Sequence, residues 1–134
     1  MKTLTVAAQL KEIETLTDFV NEELENYMCP MKTQMQIAVA LDEILANIVH
    51  YAYPDNPDGK MSVTVSKKDN KIILVFADNG IPYNPLTHED PDTTLSAEDR
   101  QIGGLGIFLV KKTMDSCDYQ YLNGQNILTL TKNF

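Results

Sequence analysis

Apolar residues recur at Ile37, Leu41, Ile44, Leu45, Ile48 and Ala52 within residues 35–53. This is helical spacing, and at roughly 100° per residue these positions share one face. Glu43, Asn47 and His50 follow one another at i+4 and i+3, so they line up on the opposite side. Ala40 and Ala46 flank that polar stripe and leave room for something to lie against it. Glu43 has no basic residue one turn away, because Val39 precedes it and Asn47 follows. Two readings fit: a solvated helix face, or a carboxylate and an amide aimed at a ligand.

The same patterning predicts the rest of the chain. Residues 3–8 form a β-branched run that suits an edge strand. Residues 9–27 carry Leu10, Ile13, Leu16, Phe19, Val20 and Leu24 at the spacing of one buried helical stripe. Pro30 ends that helix, since it lacks an N–H and restricts Cys29 before it. Residues 54–59 (PDNPDG) are a turn by composition. Residues 60–67 alternate, with Met61, Val63 and Val65 on one face, and residues 71–77 form a more buried strand. The turn at residues 68–70 joins them as an antiparallel hairpin. A glycine cluster then opens a third helix over residues 107–114. Strands over residues 118–122 and 126–132 close the chain around Asn123-Gly124.

Between the second hairpin strand and the third helix lie residues 81–102, with Pro82, Pro85, Pro91 and five acids. A connection this long and polar is functional or mobile in a small domain. Ser96-Ala97-Glu98-Asp99 has the pattern of a helix N-cap, and Arg100 is the only arginine in the sequence. Strands in hairpins and helices in a group predict an α+β fold. Its form is a two-layer sandwich: a mostly antiparallel, mixed sheet with about three helices on one face.

Composition narrows the function. The 134 residues suffice for one domain with a real core, spanning residues 1–134. Apolar residues make up 43%, which fits a folded chain. The net charge is −8, from 11 basic and 19 acidic residues. That charge discourages nucleic acid and anionic lipid as partners. No apolar run approaches the ~18–20 residues of a membrane span, and the N-terminus lacks the apolar run of a signal peptide. Cys29 and Cys117 match no metal-ligand or CxxC spacing, so both are expected to be reduced thiols in a cytoplasmic protein.

Three separated pieces carry the candidate chemistry. Gly103, Gly104 and Gly106 stand at a helix start, where absent Cβ atoms and unpaired N–H groups favour a phosphate. A simple turn is the competing reading, and neither a Walker loop nor a Rossmann fingerprint is present. Asp78 ends an apolar strand, where its carboxylate can accept from a base amino group or close an Asp-Asn-Gly turn. Asn47 beside phosphates could give an oxygen to Mg²⁺, and Glu43 one turn away would suit a general base. Met28, Met31 and Met35 cluster at the helix junction and read as core or contact filler. His50 reads as a local hydrogen-bonding residue on the proposed ligand face, and His88 falls in the long connection.

The order Glu-x-x-x-Asn on a helix, Asp-x-Gly after a strand, a lid, then Gly-Gly-x-Gly resembles one ATPase superfamily. Gyrase, histidine kinases, heat-shock chaperones and mismatch-repair proteins share it. The short form is most similar to the anti-sigma factor serine kinases, over nearly the whole chain. The resemblance implies that Glu43 activates the attacking hydroxyl and Asn47 ligates Mg²⁺. It implies that Asp78 binds the adenine amino group of ATP, with Gly80 allowing close approach of the ring. Gly103, Gly104 and Gly106 would hold the phosphates beneath a lid at about residues 81–102, with Arg100 reaching a phosphate. Pro82 replaces a second glycine of the broader pattern, and Gly124-Gln125-Asn126 stands where a Gly-Thr pair is usual, leaving Asn126 as a weak substitute.

The expected activity is therefore transfer of the γ-phosphoryl of ATP to a serine or threonine of an anti-sigma factor antagonist protein. A sigma factor or similar regulator would be the alternate partner, and a homodimer is consistent with the resemblance. Competing expectations are a nucleotide-gated binding module without useful catalysis, and a stand-alone catalytic domain of a two-component sensor kinase.

Overall fold

A computed structural model describes residues 1–87 and 104–134. Among these the elements run β1 (Lys2–Ala7), α1 (Lys11–Asn26), α2 (Met31–Asn47), a π-helical turn (Ile48–Ala52), β2 (Lys60–Lys68), β3 (Lys71–Asp78), a 3₁₀ turn (Pro85–Thr87), α3 (Gly104–Thr113), β4 (Ser116–Leu122) and β5 (Gln125–Asn133). The strands form one sheet in the order β1-β2-β3-β5-β4. All four pairings are antiparallel, so the parallel component of the expected mixed sheet is absent from the described residues.

The helices cover one face of this sheet, with α2 packed between α1 and α3. Alternation decides which strand residues meet them. Met61, Val63 and Val65 of β2, Ile72, Leu74 and Phe76 of β3, and Leu128 and Leu130 of β5 are buried. Leu16, Val20 and Leu24 of α1 and Ile37, Leu41, Ile44 and Leu45 of α2 meet them from above. Fully burying each side chain of this size contributes about 1.5–3 kcal/mol.

Local chemistry fixes the joints. Helix α1 ends with Met28 in the left-handed region (φ 58°), and Cys29 N–H returns to the Leu24 carbonyl at 3.0 Å. Pro30 then caps the start of α2, so that helix begins four residues earlier than residue 35, where its apolar pattern starts. Asn123 and Gly124 both have positive φ (55° and 80°), which suits the two-residue hairpin turn between β4 and β5. The expected methionine cluster is not core: Met28, Met31 and Met35 are 86%, 67% and 63% exposed. Ile37, Leu41 and Ile44 take the inward stripe, which turns Met31 and Met35 outward on the same helix.

Candidate functional site

The inward row of β3 reads Ile72, Leu74, Phe76, Asp78, and that of β5 reads Leu130, Leu128, Asn126. Period-two alternation thus carries a carboxylate and an amide onto the core face, where the helical layer begins to open. The two residues are direct partners across the β3–β5 ladder. Both are buried, at 7% and 5% exposure. A cleft opens over them, bounded also by Asn47, Ala52, Tyr83 and Tyr119.

Asp78 Oδ1 accepts from Gly80 N–H and from Asn126 Nδ2, each at 2.9 Å. Burial pushes its carboxyl above the usual carboxylate range, while these two hydrogen bonds pull it back down. With Oδ1 doubly occupied, Oδ2 is the oxygen left to meet a donor in the cleft.

The turn after Asp78 is pinned from the helical layer. Ile81 N–H donates to the Ala52 carbonyl at 2.9 Å. A Cβ on Gly80 would stand 2.3 Å from that same oxygen, so the room left by Gly80 is filled by the π-helical turn. Asn79 N–H donates to the Tyr53 hydroxyl at 2.8 Å, and that hydroxyl lies within hydrogen-bond reach of the Lys60 carbonyl. The ring of Tyr53 in turn packs on the bare Cα of Gly59. The π-helical turn, which widens the backbone just after Asn47, therefore belongs to the wall of the site.

Asn47 closes the last turn of α2, and its Nδ2 is buried without a hydrogen-bond partner among the described residues. An amide hydrogen left so is costly unless something from the cleft completes it, and a turned amide would present its oxygen there instead. Glu43, one turn back, is half-buried but does not line the cleft over Asp78. Its carboxylate lies against Gly106 of α3, with Oε2 at 1.8 Å from where a Cβ would stand. Gly104 is the first residue of α3 and Gly106 sits within its first turn, so these glycines are inside the helix instead of preceding it. His50 is exposed and edge-on to Tyr51.

The structure therefore brings Asn47 and Asp78 to one cleft, packs the bare Cα of Gly80 against Ala52 instead of leaving it open to a ring, and sets Glu43 beside Gly106 of α3. Gly103, Arg100, His88, the expected cap at Ser96 and most of the lid lie outside the described residues. Asn126, expected only as a weak substitute for a threonine, proves to be the residue that Asp78 leans on. Tyr83 and Tyr119 had no sequence signal beyond their place near strand ends.

The donors and acceptors present suit a nucleotide: Asp78 has an oxygen open to a donor such as a base amino group, and Asn47 has an unpartnered amide of the kind a phosphate would meet. Among the described residues no three His, Cys, Asp or Glu side chains gather to hold a metal. A cation here would take most of its ligands from phosphate and water, as Mg²⁺ commonly does.

The family model for the histidine kinase-like ATPase domain matches residues 6–132. Serine/threonine-protein kinase BtrW of Bordetella bronchiseptica is 31% identical over 102 residues, covering 76% of this chain and 72% of BtrW. Serine-protein kinase RsbW of Listeria monocytogenes is 28% identical over 96 residues, covering 69% of this chain and 61% of RsbW. A crystal structure of the RsbU and RsbW domains of Rv1364c from Mycobacterium tuberculosis superposes with a TM-score of 0.65 at 14% identity. It covers 99% of this chain and 32% of that one, and it speaks for the fold. No helix among the described residues is long and apolar enough to cross a membrane. By these matches and the fold they share, the chain belongs to the histidine kinase-like ATPase family, in the branch of the serine-protein kinases RsbW and BtrW.

Proposed function

We propose that this chain is an ATP-dependent serine/threonine protein kinase that phosphorylates a small antagonist protein and exchanges it for a sigma factor or similar regulator. The observation that carries the proposal is the pairing, in one cleft, of a buried Asp78 with one open oxygen and an unpartnered Asn47 amide. Asp78 accepts from the adenine amino group. Asn47 meets the phosphates or the Mg²⁺ they carry, and that ion neutralises phosphate charge. Gly104 opens α3, and the N-terminal end of that helix favours anionic oxygens. Glu43 takes the proton of the acceptor hydroxyl as its oxygen bonds to the γ-phosphorus and ADP departs. Phosphoryl transfer asks mainly for positioning and charge neutralisation, so a site this small is sufficient.

The test is transfer of radiolabel from ATP to the cognate antagonist. Glu43→Ala, checked as folded, is expected to lose about 100-fold or more in rate with ATP affinity retained. Transfer at the wild-type rate would overturn the base assignment. The position of Glu43 against Gly106 supports a second reading, a nucleotide-gated binding module. Normal ATP affinity with no phosphate on any partner would select it.

A further inference from the structure

Asn126 holds no spare hydrogen-bonding capacity. A primary amide has two N–H donors and an oxygen with two lone pairs. Here Nδ2 donates to Asp78 Oδ1 at 2.9 Å and to the Ile81 carbonyl at 2.8 Å. Oδ1 accepts from Tyr83 N–H at 3.0 Å and from the Tyr119 hydroxyl. Turning the amide over would set its oxygen against two acceptors and its NH₂ against the Tyr83 N–H, so one orientation is fixed. No polar atom of Asn126 remains to meet a ligand. Its partners lie in three places: Asp78, across the ladder; Ile81 and Tyr83, at the root of the segment that leaves β3; and Tyr119, on β4.

We propose that Asn126 is a positioning residue: it locks the Asp78 carboxylate for reading a base amino group and binds that carboxylate to residues 81–83, so one amide sets both. The proposal rests on the nucleotide reading of the cleft. Asn126 acts through Asp78 and touches no ligand itself. Without its Nδ2 the carboxylate keeps only the Gly80 N–H and is free to turn about its Cβ–Cγ bond. The share of affinity owed to the base amino group is then lost, and the share owed to the triphosphate stays.

The experiment is calorimetric titration with Mg²⁺ and either ATP or purine riboside 5′-triphosphate, which lacks the 6-amino group. Wild type is expected to prefer ATP by about tenfold or more, the value of a hydrogen bond to a charged group. In Asn126→Ala, ATP binding weakens by about tenfold while the analogue changes by less than about twofold, so the preference closes. Tyr119→Phe removes only one of the two donors fixing the amide and narrows the preference by a smaller factor. It also decides the matter alone should Asn126→Ala fail to fold by circular dichroism. An unchanged preference in the folded variants, or equal loss of both ligands, overturns the positioning role, since a purely structural defect weakens both alike. Equal binding of the two ligands by wild type overturns the base-reading role of Asp78 itself, and the proposal with it.

Discussion

Asp78 carries its charge where water barely reaches, and two hydrogen bonds to one oxygen do not fully offset that. The consequence for stability has a definite sign. Because burial raises the folded-state pKa, the folded chain holds this proton more tightly than the unfolded chain. Stability owed to Asp78 is therefore greatest below the ordinary carboxylate range and falls as pH rises through the raised value. At neutral pH the ionised group is a burden on the fold. Asp78→Asn keeps the shape and the oxygen that Gly80 and Asn126 address. It is expected to melt no lower than wild type at pH 7, with any gain shrinking as the pH is lowered. ATP affinity should fall roughly 10- to 100-fold, because an NH₂ replaces the acceptor. Thermal melts across pH, with parallel ATP titrations, check both halves. A variant that melts lower and binds normally would show the carboxylate to be structural.

Between elements, the contact of α2 with α3 is where a glycine and a carboxylate share one space. Glycine inside a helix costs up to about 1 kcal/mol relative to alanine, so Gly106 needs a reason to be there. The Glu43 carboxylate supplies one, since it fills the volume a methyl would take. Gly106→Ala should leave melting nearly unchanged, because the clashing atoms are the free end of a flexible side chain. Phosphate transfer should drop as that end is pushed aside. An unaffected rate in the same assay would mean Glu43 does not act from this position. The sequence showed the helix and the glycines but not their meeting, since Glu43 and Gly106 are joined only by tertiary packing. It also showed the apolar stripe of α2 through Ile37, Leu41, Ile44 and Leu45, because helical periodicity is local. The π-helical turn after Asn47 left no such trace. Nor did the outward turn of Met31 and Met35, whose apolar character alone does not say which side of a helix is covered.

Across the whole molecule, β1 and β4 are the outer strands, and β3 and β5 lie inside the sheet. A buried strand over residues 71–77 running into Asp78 was legible in the residues alone, though its unbroken apolar run did not say which face Asp78 takes. The matching of Asp78 with Asn126 was not, since register between distant strands depends on the closed sheet. Strand order places Asp78 and Asn126 on two of the three strands with neighbours on both sides. Backbone amides there should be the last to take up deuterium, with protection near that of global unfolding. Adding nucleotide should then slow exchange in residues 81–87 while leaving β3 and β5 almost untouched. The carboxylate that selects the base would thus be rigid before its ligand arrives, leaving little ordering entropy to be lost there on binding.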